Sequence, residues 1–116
     1  MGKIYTIDAT GKSIGRVASE AALVLQGKRL VTYRPDRLPT PFQVEVKNIS
    51  SMRIVMRKMR EVHHRSHSQY PGALRETTFE QAFKKNPEAM VRRIVEKMLP
   101  KNRLSQHLLK RIIISR

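Results

Sequence analysis

Apolar residues recur along the chain with two periods. Ile4-Tyr5-Thr6-Ile7-Asp8 is rich in β-branched and aromatic residues and predicts a short buried strand. Ala9-Thr10-Gly11-Lys12 is turn-like, and Ser13 suits the N-cap of a following helix. Ile14, Val17, Ala18, Ala21 and Leu25 then repeat at the i, i+3, i+4 spacing of one helical face. Gly27 fits the left-handed position that ends a helix. Lys28 and Arg29 stand where the helix dipole favours cations. This strand–turn–helix unit is the opening half of a βαβ. Residues 28–41 hold Pro35, Pro39 and Pro41 with Arg29, Arg34 and Arg37, which predicts a basic loop. Phe42, Val44 and Val46 alternate with polar residues and predict a second strand.

The second half reads as mostly helical. In residues 50–62 the Met52, Val55, Met56, Met59 spacing fits a helix, while Ile54-Val55 fits a strand, and both readings stay open. Tyr70-Pro71-Gly72 is a turn. Thr78 with Gln81 forms a capping box that starts a short helix with Phe79 and Phe83 one turn apart. Asn86-Pro87 is a second helix start, with Met90, Val91, Ile94, Val95 and Met98 inward and Pro100 as the stop. A final helix over about 102–111 places Leu104, Leu108 and Ile112 on one side and Arg103, His107 and Arg111 on another. Ile112-Ile113-Ile114 is alternatively a terminal strand. No internal repeat or linker divides residues 1–116, so one domain is expected.

Charge changes this picture from a generic small domain to a polyanion binder. The 116 residues carry 24 Lys+Arg against 9 Asp+Glu, a formal net charge of +15. Solubility alone asks for a net charge of only about 2–8 on a small domain. The charge is uneven. Residues 1–52 hold 8 basic and 4 acidic residues, a net of +4, and residues 53–116 hold 16 and 5, a net of +11. There is no Cys, which removes disulfides, thiolate zinc sites and a Cys nucleophile. No apolar run reaches the ~18 residues of a membrane span, and the N-terminal sequence reads as a strand rather than a leader. The expectation is a soluble intracellular protein with nucleic acid as its partner, without a membrane and without a small-molecule substrate.

Candidate chemistry is sparse. Gly11-Lys12-Ser13 lacks the first glycine of a phosphate-cradling P-loop, because position 6 is Thr6. A weaker reading remains beside that of a plain cap: free N–H groups at this helix start, with Lys12 and Arg16, hold one backbone phosphate. His63, His64 and His67 cluster, but Arg60 and Arg65 flank them and only Glu61 is close. That setting favours RNA contact or solvent over a metal. Neither Ser66 nor Ser68 has a partner that marks it as a nucleophile, so no enzyme, cofactor or metal is expected. Met residues read as core filling, and Arg92, Arg93 and Lys97 as either a solvated helix face or a binding one. Tyr70 and His67 among Arg65 and Arg75 suit stacking on unpaired bases, against the plainer reading of a turn anchor. The basic residues expected to meet RNA are Lys12, Arg16, Lys28, Arg29, Arg34, Arg37, Arg57, Lys58, Arg60, Arg65, Arg75, Lys101, Arg103, Lys110 and Arg111, with His67, Tyr70 and His107 beside them. Their dispersal suits a folded RNA recognised by shape and phosphate. A free-standing RNA-binding regulator of translation and a small nucleic-acid-acting enzyme are the alternatives.

Three blocks in order resemble one family. They are Ile7-Asp8-Ala9-x-Gly11-Lys12-x-Ile14-Gly15-Arg16-Val17-Ala18-Ser19, then His67-Ser68-Gln69-Tyr70-Pro71-Gly72-Ala73-Leu74-Arg75-Glu76-Thr77-Thr78, then Met98-Leu99-Pro100-Lys101-Asn102-x-Leu104 with Leu108-Leu109-Lys110-Arg111. The chain is similar to the large-subunit ribosomal protein thirteen family. The resemblance implies an α/β fold: a small, mostly parallel sheet of about four strands flanked by helices in three layers. It implies a cytoplasmic ribosomal constituent that binds large-subunit rRNA, sits among neighbouring ribosomal proteins and supports early subunit assembly. By the same resemblance the Arg16 helix start, the His67–Arg75 turn and the Lys101–Arg111 segment lie against rRNA. Departures are Pro39-Thr40-Pro41-Phe42 for Thr-Gly-Asp, Val55-Met56 for Thr-Gly, and His64-Arg65 for Tyr-Tyr. Gln69 and Ala73 stand in place of glycines, and the family's N-terminal lead and polar C-terminal extension are not matched.

Overall fold

The computed structural model describes residues 3–115. Strand β1 (Lys3–Asp8) leads through a turn into helix α1 (Ile14–Leu25), and the basic loop then leads to β2 (Phe42–Lys47). A 3-10 turn at Ile49–Ser51 precedes the short helix α2 (Met56–Glu61). Strands β3 (His63–His67) and β4 (Leu74–Thr78) form a hairpin. Helices α3 (Phe79–Lys85), α4 (Pro87–Met98) and α5 (Arg103–Leu109) follow, and β5 (Ile112–Ile114) ends the described chain.

The helix ends follow their sequence signals. Thr78 Oγ1 accepts from the Gln81 N–H while Gln81 Oε1 accepts from the Thr78 N–H, both at 3.3 Å, closing the capping box of α3. Asn86 Oδ1 caps α4 through the Ala89 N–H at 3.1 Å, and Asn102 Oδ1 caps α5 through the Ser105 N–H at 3.0 Å. At the end of α1 the Gly27 N–H donates to the Val24 carbonyl and the Lys28 N–H to the Leu23 carbonyl. Gly27 has φ +71°, the left-handed geometry of this stop. A side chain there would also place its Cβ 2.8 Å from Pro39 Cβ. Ser13 occupies the N-cap of α1, yet its side chain makes no capping bond.

The sheet order is β1-β2-β5, with both pairings parallel. Val44 lies opposite both Tyr5 and Ile112. Ile7, Val44, Val46 and Ile112 are buried together with Val17, Ala21, Leu25, Val91, Val95 and Leu108 in one core. Helix α1 packs on β1 and β2 and against α4.

The α/β class, the small parallel sheet and the flanking helices are as expected. The strand count is corrected. Three strands form the parallel sheet, and the other two are the separate antiparallel hairpin β3–β4. On the sheet face away from α1, Ile4 is 61% and Ile113 44% exposed, with Thr6 and Gln43 also exposed. Burial among the described residues is concentrated on the α1 face. As an edge strand β1 buries only Ile7, so it is not the buried strand its composition predicts.

Residues 50–62 are neither one helix nor one strand. Met52 enters the core, the Arg53 N–H bonds the Lys12 carbonyl at 3.0 Å, and only Met56–Glu61 is α-helical. Met56 is 72% exposed, so the methionine stripe is not a core face. Of the inward positions expected on α4, Met90, Val91 and Val95 are buried, while Met98 is 40% exposed. The last helix stops at Leu109, and Ile112–Ile114 takes the strand reading.

Candidate nucleic-acid interface

None of the described charged side chains is buried, so their charge lies at the surface. Two tracts and the α1 cations concentrate it. The first tract forms where α4 turns into α5. A shallow groove of about 650 Å³ there is lined by Arg93, Lys97, Lys101 and Arg103, with Asn102, Ser105 and Gln106 as neutral hydrogen-bonding groups. One acid, Glu96, shares the groove. None of the four cations has an acidic partner among the described residues. Leu99 is buried at the turn, and the Asn102 cap starts α5 at Arg103. Those two anchors hold Lys101 and Arg103 beside the α4 pair.

A smaller groove of about 200 Å³ adjoins it and shares Pro100 and Asn102 as lining. Its other wall is the proline-rich loop, with Lys28, Arg34 and Arg37. Folding thus brings the basic loop of the first half beside the α4–α5 turn of the second. Arg37 also meets Asp36 at 3.7 Å, an exposed pair of little strength.

The second tract is α2 with the hairpin. Lys58, Arg60 and Arg57 are exposed on α2, and Arg57 pairs with Glu61 at 3.0 Å. On the hairpin, Arg65 pairs with the cross-strand Glu76 at 2.7 Å and shares its face with His67. Arg75 lies on the other face, opposite Ser66. Tyr70 is 77% exposed at the tip, where Gly72 has φ +75°. Tyr70 is therefore a free aromatic surface, not a buried turn anchor.

The histidine cluster is divided by the strand. His63 and His67 fall on one face of β3 and His64 on the other. The His64 ring lies 6.0 Å from Phe79, which stacks on Phe83 at the same spacing. Its Nε2 is buried without a hydrogen-bond partner. Burial first, and then the charges of Arg93 and Lys97, push its pKa below the usual histidine value. His64 thus packs against Phe79, turned away from His63 and His67. Among the described residues no three His, Asp or Glu side chains gather as metal ligands do.

At the start of α1, Lys12 pairs with Glu20 at 3.2 Å, and Arg29 reaches the same carboxylate at 3.9 Å while lying over the Tyr5 ring. Arg16 is exposed and has no acidic partner among the described residues. The expected row Arg103, His107, Arg111 breaks. Arg103, His107 and Lys110 are exposed, but Arg111 lies past the helix end, half-buried, and donates from Nη1 to the Pro39 carbonyl at 3.1 Å. Arg93 and Lys97 were not among the expected contacts. On α4 alone they look like a solvated face, and only the α4–α5 turn places them with Lys101 and Arg103.

A folded, strongly basic α/β body with cation-lined grooves and an exposed tyrosine turn has the surface of a polyanion-binding protein. The sequence comparisons specify which kind. Residues 2–115 match the Ribosomal protein L13 family. Among similar proteins, the large ribosomal subunit protein uL13 of Aquifex aeolicus is 39% identical over 114 residues, covering 98% of this chain and 78% of the relative. The uL13 of Clostridium tetani is 39% identical with the same coverage, and that of Citrifermentans bemidjiense 40% identical over 110 residues, covering 95% of this chain and 77% of the relative. This chain belongs to the ribosomal protein L13 family.

Proposed function

We propose that the protein is a structural constituent of the large ribosomal subunit in the cytoplasm, binding large-subunit rRNA and supporting early subunit assembly. One domain carries this function, among neighbouring ribosomal proteins. The observation that carries the reading is the α4–α5 groove, where Arg93, Lys97, Lys101 and Arg103 converge without ion-pair partners among the described residues. Cations held this way neutralise phosphates and release counterions, which favours binding whatever the base sequence. Neutral groups beside them, the Asn102 and Gln106 amides, suit phosphate oxygens and ribose hydroxyls. The loop residues Lys28, Arg34 and Arg37 extend this tract, with His107 and Lys110 on its α5 side. The second tract, Arg57, Lys58, Arg60, Arg65, His67, Tyr70 and Arg75, and the α1 cations Lys12, Arg16 and Arg29 engage further RNA segments. The mechanism is positional, because the α/β body sets the relative places of several RNA strands.

Two measurements test this. The protein co-sediments with large subunits and resists a moderate-salt wash; recovery only in the free fraction overturns the ribosomal reading. Replacing Arg93, Lys97, Lys101 and Arg103 together with Ala lowers the salt slope of binding to protein-free large-subunit rRNA by about 0.7–0.9 per lost phosphate contact. An unchanged slope removes the groove from the interface.

A further inference from the structure

The basic loop between α1 and β2 has little structure of its own. Residues 28–38 are all exposed. Its internal backbone bonds are turn bonds, such as the Leu30 N–H to the Gly27 carbonyl and the Tyr33 N–H to the Leu30 carbonyl. A chain so exposed that carries Lys28, Arg34 and Arg37 would sample many conformations, and an RNA that fixed it would meet that ordering cost. The loop is nevertheless pinned near its C-terminal end. Pro39 is half-buried and packs so closely on Gly27 that no side chain fits at position 27. Its carbonyl accepts the Arg111 guanidinium at 3.1 Å, across 72 residues of sequence.

Arg111 is itself firmly placed. Its N–H bonds the Leu108 carbonyl at 3.0 Å, and its carbonyl accepts the Val44 N–H at 3.0 Å, so both main-chain groups belong to the α5–β5 junction and the sheet. A guanidinium fixed at its base and half-buried is poorly placed to follow an RNA backbone. It is well placed to hold a carbonyl.

We infer that Arg111 is a positioning residue, which acts by clamping the loop at Pro39 so that Lys28, Arg34 and Arg37 stand ready beside the α4–α5 groove, and not by contacting phosphate. The inference rests on the RNA-binding reading above, but its first test is independent of RNA. A donor lost from the Pro39 carbonyl loosens the loop in the free protein. A phosphate ligand lost from the surface does not.

The test compares wild type, Arg111→Met and Arg111→Lys. Brief trypsin treatment of the native free protein reports loop opening by cleavage after Lys28, Arg29 and Arg37, since Arg34 precedes Pro35 and resists. Arg111→Met raises cleavage after Arg37 roughly tenfold, the effect of losing one charge-assisted bond. Arg111→Lys, which keeps a donor, restores most of the protection. Core-weakened Val95→Ala, a control for global unfolding, leaves the loop rate near that of wild type. Equal loop cleavage in wild type and Arg111→Met overturns the clamp.

Binding to protein-free large-subunit rRNA supplies the second arm. Arg111→Met weakens binding roughly three- to tenfold in wild type. In an Arg34→Ala/Arg37→Ala background the same change has much less effect, because the clamp has little left to position. Strict additivity identifies Arg111 as an independent phosphate ligand and overturns the inference. Wild type that fails to bind the rRNA refutes the proposed function, while the cleavage arm still decides the clamp. Should Arg111→Met not fold, Arg111→Gln, which keeps a neutral donor, takes its place in both arms with the same expected order.

Discussion

Asp8 ends β1 with an exposed carboxylate that does structural work. Its Oδ1 accepts from the Thr10 N–H at 3.0 Å, from Thr10 Oγ1 at 2.7 Å and from Asn48 Nδ2 at 3.1 Å. Asn48 sits at φ +59°, one of the few non-glycine residue types that tolerates the left-handed region. The bond to Asn48 ties the loop after β1 to the loop after β2. Chiefly the Thr10 backbone bond, then the Thr10 hydroxyl and Asn48, lower the Asp8 pKa from 3.8 to about 2. The folded state therefore favours the ionised form. Its contribution to stability is complete above pH 3.8 and is lost as pH falls through about 2. Asp8→Ala is expected to be less stable than wild type at pH 6, and the gap to close on acidification towards pH 2. Urea unfolding across that range checks it, and a gap independent of pH would count against the Asp8 bonds as its source.

At the scale of elements, cap residues made the helices readable. Thr78, Asn86 and Asn102 each satisfy an N–H that the helix leaves open. The starts at Thr78 and Asn86 fall where the sequence places those caps, while the last helix is legible from its leucine spacing alone. The hairpin β3–β4 gave no such signal. Of His63–His67 and Leu74–Thr78 only His64 and Thr78 are even half-buried, so no apolar alternation marks the strands. Only Tyr70-Pro71-Gly72 betrayed the turn between them. Residues 50–62 misled for a related reason: the methionine spacing is helical, yet Met52 belongs to the core and Met56 to solvent. The α4–α5 groove was half legible. Lys101 and Arg103 stand out in the sequence, whereas Arg93 and Lys97 join them only through the turn at Leu99–Pro100. Arg111 followed the helical row on paper because nothing local shows that the helix stops two residues earlier. The hairpin also carries its own prediction. Tyr70→Ala should weaken binding to large-subunit rRNA by about 1–3 kcal/mol, the worth of one stacked base. Thermal melting should not move, because the ring is exposed at the tip. Unchanged affinity would remove Tyr70 from the interface.

The whole molecule is a thin slab, with principal extents of 48 × 35 × 21 Å. A net charge of +15 spread over such a body repels itself, and the apolar core has to hold it together. Ile112, 3% exposed, belongs to that core and pairs with Val44. Ile112→Ala is expected to cost about 2–5 kcal/mol, the usual range for emptying such a site. Chemical unfolding measures it, and a cost near zero would mean that β5 contributes little to the fold.

The placement of β5 beside β2 also bears on time. Ser115 Oγ bonds the Val46 carbonyl across 69 residues, and Arg111 reaches Pro39 across 72. Helices α3, α4 and α5 close over local hydrogen bonds and need no long-range search. The third strand finds its partner only after a long stretch of chain has been brought round, an entropic search that slows parallel pairing. Until the α5–β5 junction is in place, the proline loop lacks its Arg111 anchor. An RNA that takes hold of the helical half first would meet a protein whose sheet is unfinished. Its strand β5 and its loop would then settle in one step, so that folding and seating on the RNA end together.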